Sequence, residues 1–456
     1  MRVMKWSMIA LAVSAAGTQL AMAEPFVTDQ ADAKGFVEGA SAGVVLKNYY
    51  FNRDRKNTAK DQEDWTQGFL GKFSSGYTQG TVGVAVEGYG DAGFLLSGQD
   101  KESGSGNISR SVADANGVRD NNNSFGKAGA AIKFRVSKTE LKVGDFQPST
   151  APVFAVGGSR LFQQTASGLQ LQSSEVKDLD LEAGHFTGGS SQDQTRHNGN
   201  LFATYAGVAA KSIDYAGGKY AITPDLTASL YGAKLEDIWN QYYANVNYTL
   251  GLASDQSLNF DFNLYRTTDT GKSLAGDISN TAYSFATAYS FLKAHTITLA
   301  YQKVHGDTPF DYIGVGNNNR GGDSIFLANS IQYSDFNAPG ERSVQLRYDI
   351  KMAEYGVPGL SFMARYVHGE GIDGTHLAAN SRYRDNDGNP LYGSDGRHHE
   401  TNLEAKYVVQ SGPLKDLSFR ARQAWHRANA DEGEGNINEF RLITEYPLDL
   451  MAIAKK

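Results

Sequence analysis

The chain has 456 residues, a formal net charge of −7 at pH 7 and no cysteine. The lack of cysteine excludes disulfides and excludes zinc or iron–sulfur sites built on cysteine. Nucleic acid is not expected as a partner, because no basic stripe is present to contact phosphates. Glycine, tyrosine and phenylalanine occur 50, 24 and 23 times, a composition that suits soluble β-structure and a transmembrane β-barrel alike.

The first residues predict an export signal. Residues 1–5 carry two basic side chains and no acidic one, an apolar run covers residues 8–17, and Ala21-Met22-Ala23 follows. This pattern is typical of a cleaved signal peptide, and the apolar run is about half of the roughly 20 residues that a membrane-spanning helix needs. We therefore expect residues 1–23 to be a signal peptide and residues 24–456 to form a single domain.

Residues 343–367 contain the pattern that dominates the chain. Apolar and polar side chains alternate here, with Val344, Leu346, Tyr348 and Ile350 set against Gln345, Arg347 and Asp349. Because successive side chains of a strand point to opposite faces, one face is apolar and the other is polar. Residues 352–359, with Pro358 and two glycines, interrupt the alternation before it resumes at Leu360, which predicts a β-hairpin.

The same alternation recurs along nearly the whole chain and predicts nineteen strands. They cover residues 41–53, 62–77, 81–96, 125–136, 138–146, 168–174, 179–187, 199–206, 210–220, 225–234, 241–250, 257–266, 281–291, 295–304, 343–350, 360–368, 401–409, 417–426 and 439–446. Bacterial barrels made from one chain have an even number of strands. One of the nineteen is therefore spurious, or one strand is missing.

The connections between these strands favour a barrel in a membrane. Short turns broadly alternate with long polar connections at residues 98–124, 147–167, 267–280, 305–342 and 369–399. Short periplasmic turns and long outer loops are typical of outer-membrane barrels, whereas compact soluble domains rarely contain so many long loops. The predicted fold is an all-β, transmembrane antiparallel β-barrel, with apolar faces toward lipid and polar faces toward an aqueous lumen.

The connection at residues 145–167 differs from the other long loops because its middle is apolar. Residues 153–156 read Val-Phe-Ala-Val, between Pro152 and a pair of glycines. An apolar loop is poorly suited to bulk water, so we expect it to fold into the lumen and narrow the pore, with Arg160 facing the channel. The alternative is a loop packed over the rim.

Basic residues recur at lumen-facing positions of the predicted strands. They are Lys133, Arg135, Arg347, Arg365, Lys406, Arg420, Arg422 and Arg441. Residues two apart on a strand lie about 7 Å apart on one face, so such side chains can pass a carboxylate from one to the next. The alternative is that they pair with Asp349, Glu404, Glu439 and Glu445 and hold the wall rigid.

No motif predicts an enzyme or a metal site. Residues 39–43 have the spacing of a nucleophile elbow but begin a strand, not a strand-to-helix turn. Residues 385–389 resemble part of a calcium loop without its distal glutamate. His398 and His399 are expected on opposite faces of a strand and so could not easily share a metal. We expect no catalytic residue, no cofactor and no metal.

Several stretches resemble the OprD family of outer-membrane carboxylate channels, most of all its OprE-like members. They are residues 46–54, 67–69, 159–161, 256–266, 300–312, 355–360 and 438–441. The resemblance implies an 18-stranded barrel, monomeric or loosely trimeric, whose constriction is formed by inward-folded loops. It also implies a ladder of basic side chains opposite an acidic patch, with Arg160 of the Ser-Arg-Leu stretch at the eyelet, followed by Arg420 and Arg422.

These features predict a passive pore in the outer membrane of a Gram-negative bacterium, surrounded by lipid and lipopolysaccharide. The expected solutes are small carboxylates, either monocyclic aromatic or amino-acid-like. Two alternatives stay open. One is a general diffusion pore, if the loops leave a wide lumen. The other is an outer-membrane barrel hydrolase, which would need a serine and a histidine close together.

Overall fold

The computed structural model describes residues 25–56, 60–98, 104–113 and 119–454. The predicted signal peptide, residues 1–23, lies outside the described residues. None of the helices in these ranges is long and apolar enough to cross a membrane.

Nearly all regular structure in the described ranges is β-strand. In chain order the strands are β1 (Ser41–Arg55), β2 (Gln62–Ser74), β3 (Gly83–Ser97), β4 (Ser124–Val136), β5 (Thr139–Phe146), β6 (Thr165–Ser173), β7 (Leu179–Ser190), β8 (Leu201–Ala203), β9 (Val208–Ala210), β10 (Ile213–Thr223), β11 (Leu226–Leu235), β12 (Trp239–Ala253), β13 (Gln256–Asp269), β14 (Ser279–Phe291), β15 (His295–His305), β16 (Ile313–Val315), β17 (Arg320–Gly321), β18 (Arg342–Lys351), β19 (Leu360–Ile372), β20 (Gly396–Val408), β21 (Ser418–Ala428) and β22 (Ile437–Asp449). Short helices cover Gln30–Asp32, Met352–Tyr355 and, as α1, Leu450–Ala454.

Eighteen of these strands form one closed antiparallel sheet. Each strand pairs with the next along the chain, except that β7 pairs with β10 and β15 with β18. The first strand closes the barrel on the last, from Gly43 opposite Asp449 to Arg55 opposite Ile437. A closed sheet leaves no unpaired strand edge, which a β-structure in lipid requires. The predicted barrel is confirmed.

Eighteen of the nineteen predicted strands lie in this barrel, and the prediction at residues 199–206 is wrong. That segment contains β8, which pairs with β9 and β16 in a separate four-stranded sheet with β17. Leu201 and Ala203 are both fully buried. Their alternation therefore reflects a hairpin packed inside the barrel and not a strand of the wall.

The outer face of the barrel is apolar and the inner face is polar. On β15, Leu299 is 59% exposed, while its neighbour Thr298 is 3% exposed and faces inward. Leu299 lies opposite Leu346 of β18, which is also exposed. A large apolar side chain that is exposed in the middle of a strand fits lipid better than water.

The two ends of the barrel differ in the length of their connections. One end has short turns, such as residues 137–138, 224–225 and 254–255, and we call it the short-turn end. The other, the long-loop end, has the longest connections, residues 98–123, 147–164, 191–212, 306–341 and 373–395. Side chains from these loops form a buried cluster with inward residues of the wall, including Phe154, Phe186, Tyr215, Tyr265 and Phe310. The long loops therefore pack inside the barrel.

Replacing Leu299 by Lys tests whether this face contacts lipid. A lysine at the middle of the bilayer costs about 2–4 kcal/mol in an outer-membrane barrel, so the variant should fold less stably into lipid vesicles, as measured by denaturant unfolding. Leu414, which is 53% exposed in a turn at the short-turn end, provides the control, since Leu414→Lys places the same charge outside the lipid. Equal stability of the two variants would contradict a lipid-facing Leu299.

Candidate functional site

The loop between β5 and β6, residues 147–164, crosses part of the lumen. The ring of Phe154 packs against Phe186 and Tyr215 of the wall, with ring centroids 4.7 and 6.0 Å apart. Tyr265 of β13 donates a hydrogen bond to the carbonyl oxygen of Pro152 at 3.1 Å. Phe154 and Tyr265 are fully buried. The loop is folded into the lumen, as predicted, and is not packed over the rim.

A second loop, residues 104–113, holds the first one in place. Asp64 of β2 accepts hydrogen bonds from the hydroxyl of Ser105 and from Nδ2 of Asn107, the latter at 2.9 Å. The side-chain oxygen Oδ1 of Asn107 in turn accepts from the backbone N–H of Leu161 at 3.0 Å. Ser105 and Asn107 are not predicted from the sequence, because polar residues in long loops carry no periodic signal. Asp64 of β2 could be identified only from its contacts with that loop.

Arg160 is oriented by these two loops and by β1. Its Nε donates to the carbonyl oxygen of Ser105 at 2.7 Å, and its Nη1 donates to Oγ of Ser159 at 3.1 Å. The guanidinium lies over the ring of Phe51, 5.2 Å from the centroid. Tyr49 donates to the carbonyl oxygen of Ser159 at 3.1 Å. The Arg160 side chain is thus held by neutral groups.

Six of the other predicted basic residues lie side by side on one wall. Strand register places Arg347 opposite Arg365, Arg365 opposite Asn402, Glu404 opposite Arg422, Lys406 opposite Arg420 and Arg422 opposite Arg441. We call Arg347, Arg365, Lys406, Arg420, Arg422 and Arg441 the basic wall. The guanidinium of Arg441 lies 5.6 Å from the Phe51 ring centroid, so this ring is shared with Arg160 and joins the wall to the loop.

Part of the basic wall is neutralised by carboxylates. Arg347 binds Asp349 with an N–O distance of 2.7 Å, and Arg441 binds Glu439 at 2.6 Å. Arg420 and Arg422 share Glu404, at 2.8 and 3.1 Å. The alternative prediction, that wall arginines pair with neighbouring carboxylates, therefore holds for these four side chains.

Besides Arg135, which is described below, three of the predicted cations lack such a partner. Within the described part of the chain, Arg160, Arg365 and Lys406 form no ion pair with a carboxylate. Arg365 instead donates from Nε and Nη2 to the side-chain oxygen of Asn402, at 3.0 and 2.7 Å. All three are half-buried, so their charges are only partly screened by water.

Lys133 and Arg135 are not brought together with the basic wall. Both lie on β4 near the short-turn end, where Lys133 binds Glu87 at 3.1 Å. Arg135 donates to the side chains of Gln30 and Thr28, at 3.0 and 2.7 Å, and its guanidinium lies 3.7 Å from the Tyr77 ring centroid. Arg135 thus fixes the N-terminal segment across the turns at this end.

Two further basic residues, Lys47 and Arg53 of β1, are not among the predicted ones. Arg53 binds Glu439 from Nε at 2.7 Å, and Lys47 binds Glu445 at 3.1 Å. Both glutamates belong to β22, which pairs with β1 when the barrel closes. A signal was available, since Lys47 and Arg53 alternate with outward residues in β1. Their ion-pair partners, Glu439 and Glu445, could be assigned only from the pairing of the first strand with the last.

Asp323 lies beside the loop at residues 147–164, and Asp335 forms a second acidic group with two tyrosines. The backbone N–H of Asp323 donates to the carbonyl oxygen of Ala155 at 3.0 Å, and burial together with the charge of Asp335 raises the pKa of Asp323 to about 6. Asp335 accepts hydrogen bonds from the hydroxyls of Tyr205 and Tyr312, both at 2.8 Å. The loop therefore has the carboxylate of Asp323 near residue 155 and a cation at residue 160.

Comparison with known proteins identifies the family. The family described as outer membrane porin, OprD family, matches residues 34–450. Porin D of Pseudomonas aeruginosa is 63% identical over 453 residues, which cover 99% of this chain and 100% of that protein. The chain belongs to the OprD family of outer-membrane porins. It is therefore a channel of the Gram-negative outer membrane and not an enzyme, and the short-turn end is the periplasmic end.

Solved OprD-family structures have the same fold. The crystal structure of Pseudomonas aeruginosa OprD matches with a TM-score of 0.81 at 60% identity, over 94% of this chain and 100% of that chain. A structure of OpdK from the same organism, determined with vanillate, matches with a TM-score of 0.78 at 32% identity, over 91% of this chain and 100% of that chain. The resemblance to the OprD family is confirmed, while the likeness to OprE-like members within it stays a prediction.

The contact between the two loops of this OprD-family porin can be tested with Asn107→Ala. The change leaves the buried N–H of Leu161 and an oxygen of Asp64 without their partner, which costs about 1–3 kcal/mol. We expect the loops to separate more often, giving a larger or noisier single-channel current in planar bilayers. Asn122→Ala is the control, because Asn122 lies in the same connection but binds Ser109. An unchanged current for Asn107→Ala would show that this contact does not define the constriction.

Proposed function

We propose that this porin admits small carboxylates by passive diffusion along the basic wall and past Arg160. The observation that carries the proposal is that three cations along this path, Arg160, Arg365 and Lys406, form no ion pair with a carboxylate among the described residues. A half-buried cation that no carboxylate contacts directly can attract an anion from solution. Arginine in particular can bind a carboxylate through two parallel hydrogen bonds.

The arginines that form ion pairs beside these cations favour passage of the solute over tight binding of it. Glu404 lies between Arg420 and Arg422 and competes with a solute carboxylate for both guanidinium groups. A solute can be conducted only when its binding sites are strong enough to attract it and weak enough to release it. We propose that free and paired cations along one wall produce this balance.

We propose that acidic and phenolic residues of the inward loops favour solutes with a second polar or aromatic group. Asp323 and Asp335 can accept from an ammonium or hydroxyl group, and Tyr205 and Tyr312 present aromatic edges beside Asp335. This arrangement suits amino-acid-like and monocyclic aromatic carboxylates. The structure of OpdK with vanillate, an aromatic carboxylate, supports the same solute class.

A general diffusion pore with weak selectivity is the second candidate. It requires a wide lumen, whereas the apolar cluster around Phe154 and the contact between residues 107 and 161 occupy part of the barrel interior. A large current with little preference between anions and cations would favour this candidate.

We also propose that the apolar outer face is covered by lipid and, at the long-loop end, by lipopolysaccharide. The barrel closes on itself within one chain, so no partner subunit is needed to satisfy its strands. We propose a monomer or a loose homotrimer on this basis.

The double variant Arg160→Ala with Arg365→Ala tests the carboxylate path. A charge-assisted hydrogen bond contributes about 1.5–3 kcal/mol, so we expect benzoate entry into proteoliposomes to slow about tenfold or more relative to a small neutral sugar. The preference for anions in planar bilayers should also fall. Arg160→Lys with Arg365→Lys should keep part of both properties, because the charges remain.

Arg266→Ala is the matched control for the loss of arginine. Arg266 is on β13, but it faces outward and binds Thr281 and Ser279 at the rim. This variant should keep the parent's benzoate entry. Equal benzoate entry and equal ion preference in the double alanine variant and the parent would refute the proposed path.

A further inference from the structure

Two histidines and two glutamates form a buried group near the long-loop end of the barrel. They are His398 of β20, His426 of β21, and Glu432 and Glu434 in the connection between β21 and β22. One nitrogen or oxygen from each residue lies within 4.8 Å of the others. His398, His426 and Glu432 are at most 3% exposed. None of the four belongs to the basic wall.

The hydrogen bonds of His426 orient one of its lone pairs toward this group. Nδ1 of His426 lies 2.7 Å from the carbonyl oxygen of Gly435. A carbonyl oxygen can only accept, so Nδ1 must carry the proton. In the neutral ring Nε2 then has a lone pair, and it points at Nδ1 of His398, 2.8 Å away. A backbone carbonyl on the distal nitrogen is the usual support of a metal-binding histidine.

His398 is held in the same way, by a carboxylate. Its Nε2 lies 2.7 Å from Oε1 of Glu341, so Nε2–H donates to Glu341 and Nδ1 has the lone pair in the neutral ring. Two lone pairs, from Nδ1 of His398 and Nε2 of His426, then face each other. This arrangement is repulsive unless a cation or a proton lies between them.

The two glutamates add negative charge at the same point. Oε1 of Glu432 lies 3.2 Å from Nδ1 of His398, and Oε2 of Glu434 lies 3.8 Å from Nε2 of His426. Oε2 of Glu434 is buried and has no hydrogen-bond partner among the described residues. A buried carboxylate oxygen without a partner is costly, and it points at the same space as the two lone pairs.

We propose that His398, His426, Glu432 and Glu434 bind one divalent transition-metal ion, with Zn²⁺ as the best fit. Two neutral imidazoles and two carboxylates balance the charge of a divalent ion, and nitrogen and carboxylate oxygen are ordinary zinc ligands. Zinc binds such atoms at about 2.0–2.2 Å. The ligand atoms would therefore need to shift toward tetrahedral positions, with the two nitrogens moving apart.

The ion would join the barrel wall to the connection between β21 and β22, which in turn contacts the long loop at residues 306–341. The Tyr333 ring of this loop packs on His426 with centroids 5.0 Å apart, and its hydroxyl donates to the backbone oxygen of Glu434 at 2.9 Å. The backbone carbonyl oxygen of the neighbouring Gln332 accepts a hydrogen bond from Arg441 at 3.0 Å. Four protein ligands leave no open position, so the site is structural, and it stabilises the loop above the basic wall.

Zinc titration of the metal-stripped barrel tests this proposal. The mature protein is refolded without a polyhistidine tag, treated with EDTA, and titrated with Zn²⁺ in competition with a chromogenic chelator. We expect one Zn²⁺ per chain, a higher thermal unfolding temperature with Zn²⁺, and a visible absorption band of four-coordinate Co²⁺ when Co²⁺ replaces Zn²⁺. Binding should weaken in acid, since the histidines must be deprotonated.

Replacing a proposed ligand, as in His426→Gln or Glu434→Gln, should lower the Zn²⁺ affinity at least 100-fold. Glu341→Gln should lower it about 10- to 100-fold, because Glu341 is not a ligand but orients His398. His399→Gln is the matched control. His399 is the next residue on β20, its ring packs against the outward Tyr366, and its loss should leave binding unchanged. The heat-dependent gel mobility of folded barrels confirms that each variant is folded.

Two results would overturn the proposal. One is a folded parent protein that binds no Zn²⁺ at stoichiometric concentration, which would mean that a proton bridges the two histidines. The other is equal Zn²⁺ affinity of His426→Gln and His399→Gln, which would place the ion elsewhere. Neither result bears on benzoate entry, so this inference and the proposed carboxylate path can fail independently.

Discussion

The structure depends on the closure of its hydrogen-bonded sheet. Lipid offers no partner for a backbone N–H or carbonyl group, so every strand in it must be paired on both sides. The pairing of β1 with β22 satisfies this requirement and also builds the candidate site. It brings Arg53 to Glu439, 386 residues away in the sequence, and places Phe51 beside Arg441. The requirement that closes the barrel therefore also completes the charged wall.

Closure leaves an interior that must be filled in part, and the long loops fill it. The apolar residues 153–156 would be exposed to water in a free loop, whereas they are buried against the inward rings of β7, β10 and β13. Polar contacts such as the one between Asn107 and Leu161 then fix where the chain turns. Apolar burial thus brings the loop inside, and specific hydrogen bonds orient Arg160 within it.

Much of the barrel wall could be predicted from the sequence, because the alternation of apolar and polar side chains is a local property. The outward and inward faces of β15 and β18 and the six residues of the basic wall follow from a period of two, and the inward loop follows from its apolar residues 153–156. What could not be predicted depends on register or on loops. The sharing of Glu404 by Arg420 and Arg422 requires the pairing of β20 with β21. Likewise, the sequence suggests only His399 as a partner for His398, whereas in the structure His398 contacts His426, 28 residues away on the next strand.

The mixture of ion-paired and unpaired cations on the basic wall balances repulsion between the cations against attraction of an anion. Six cations on neighbouring strands would repel one another if none were neutralised, and the barrel would lose stability. If all six cations were neutralised, the wall would not attract an anion. Asp349, Glu404 and Glu439 relieve the repulsion at four of the six positions. The remaining positive charge at Arg365 and Lys406 lies on β19 and β20, between these pairs, where an arriving anion can exchange partners with the carboxylates on either side.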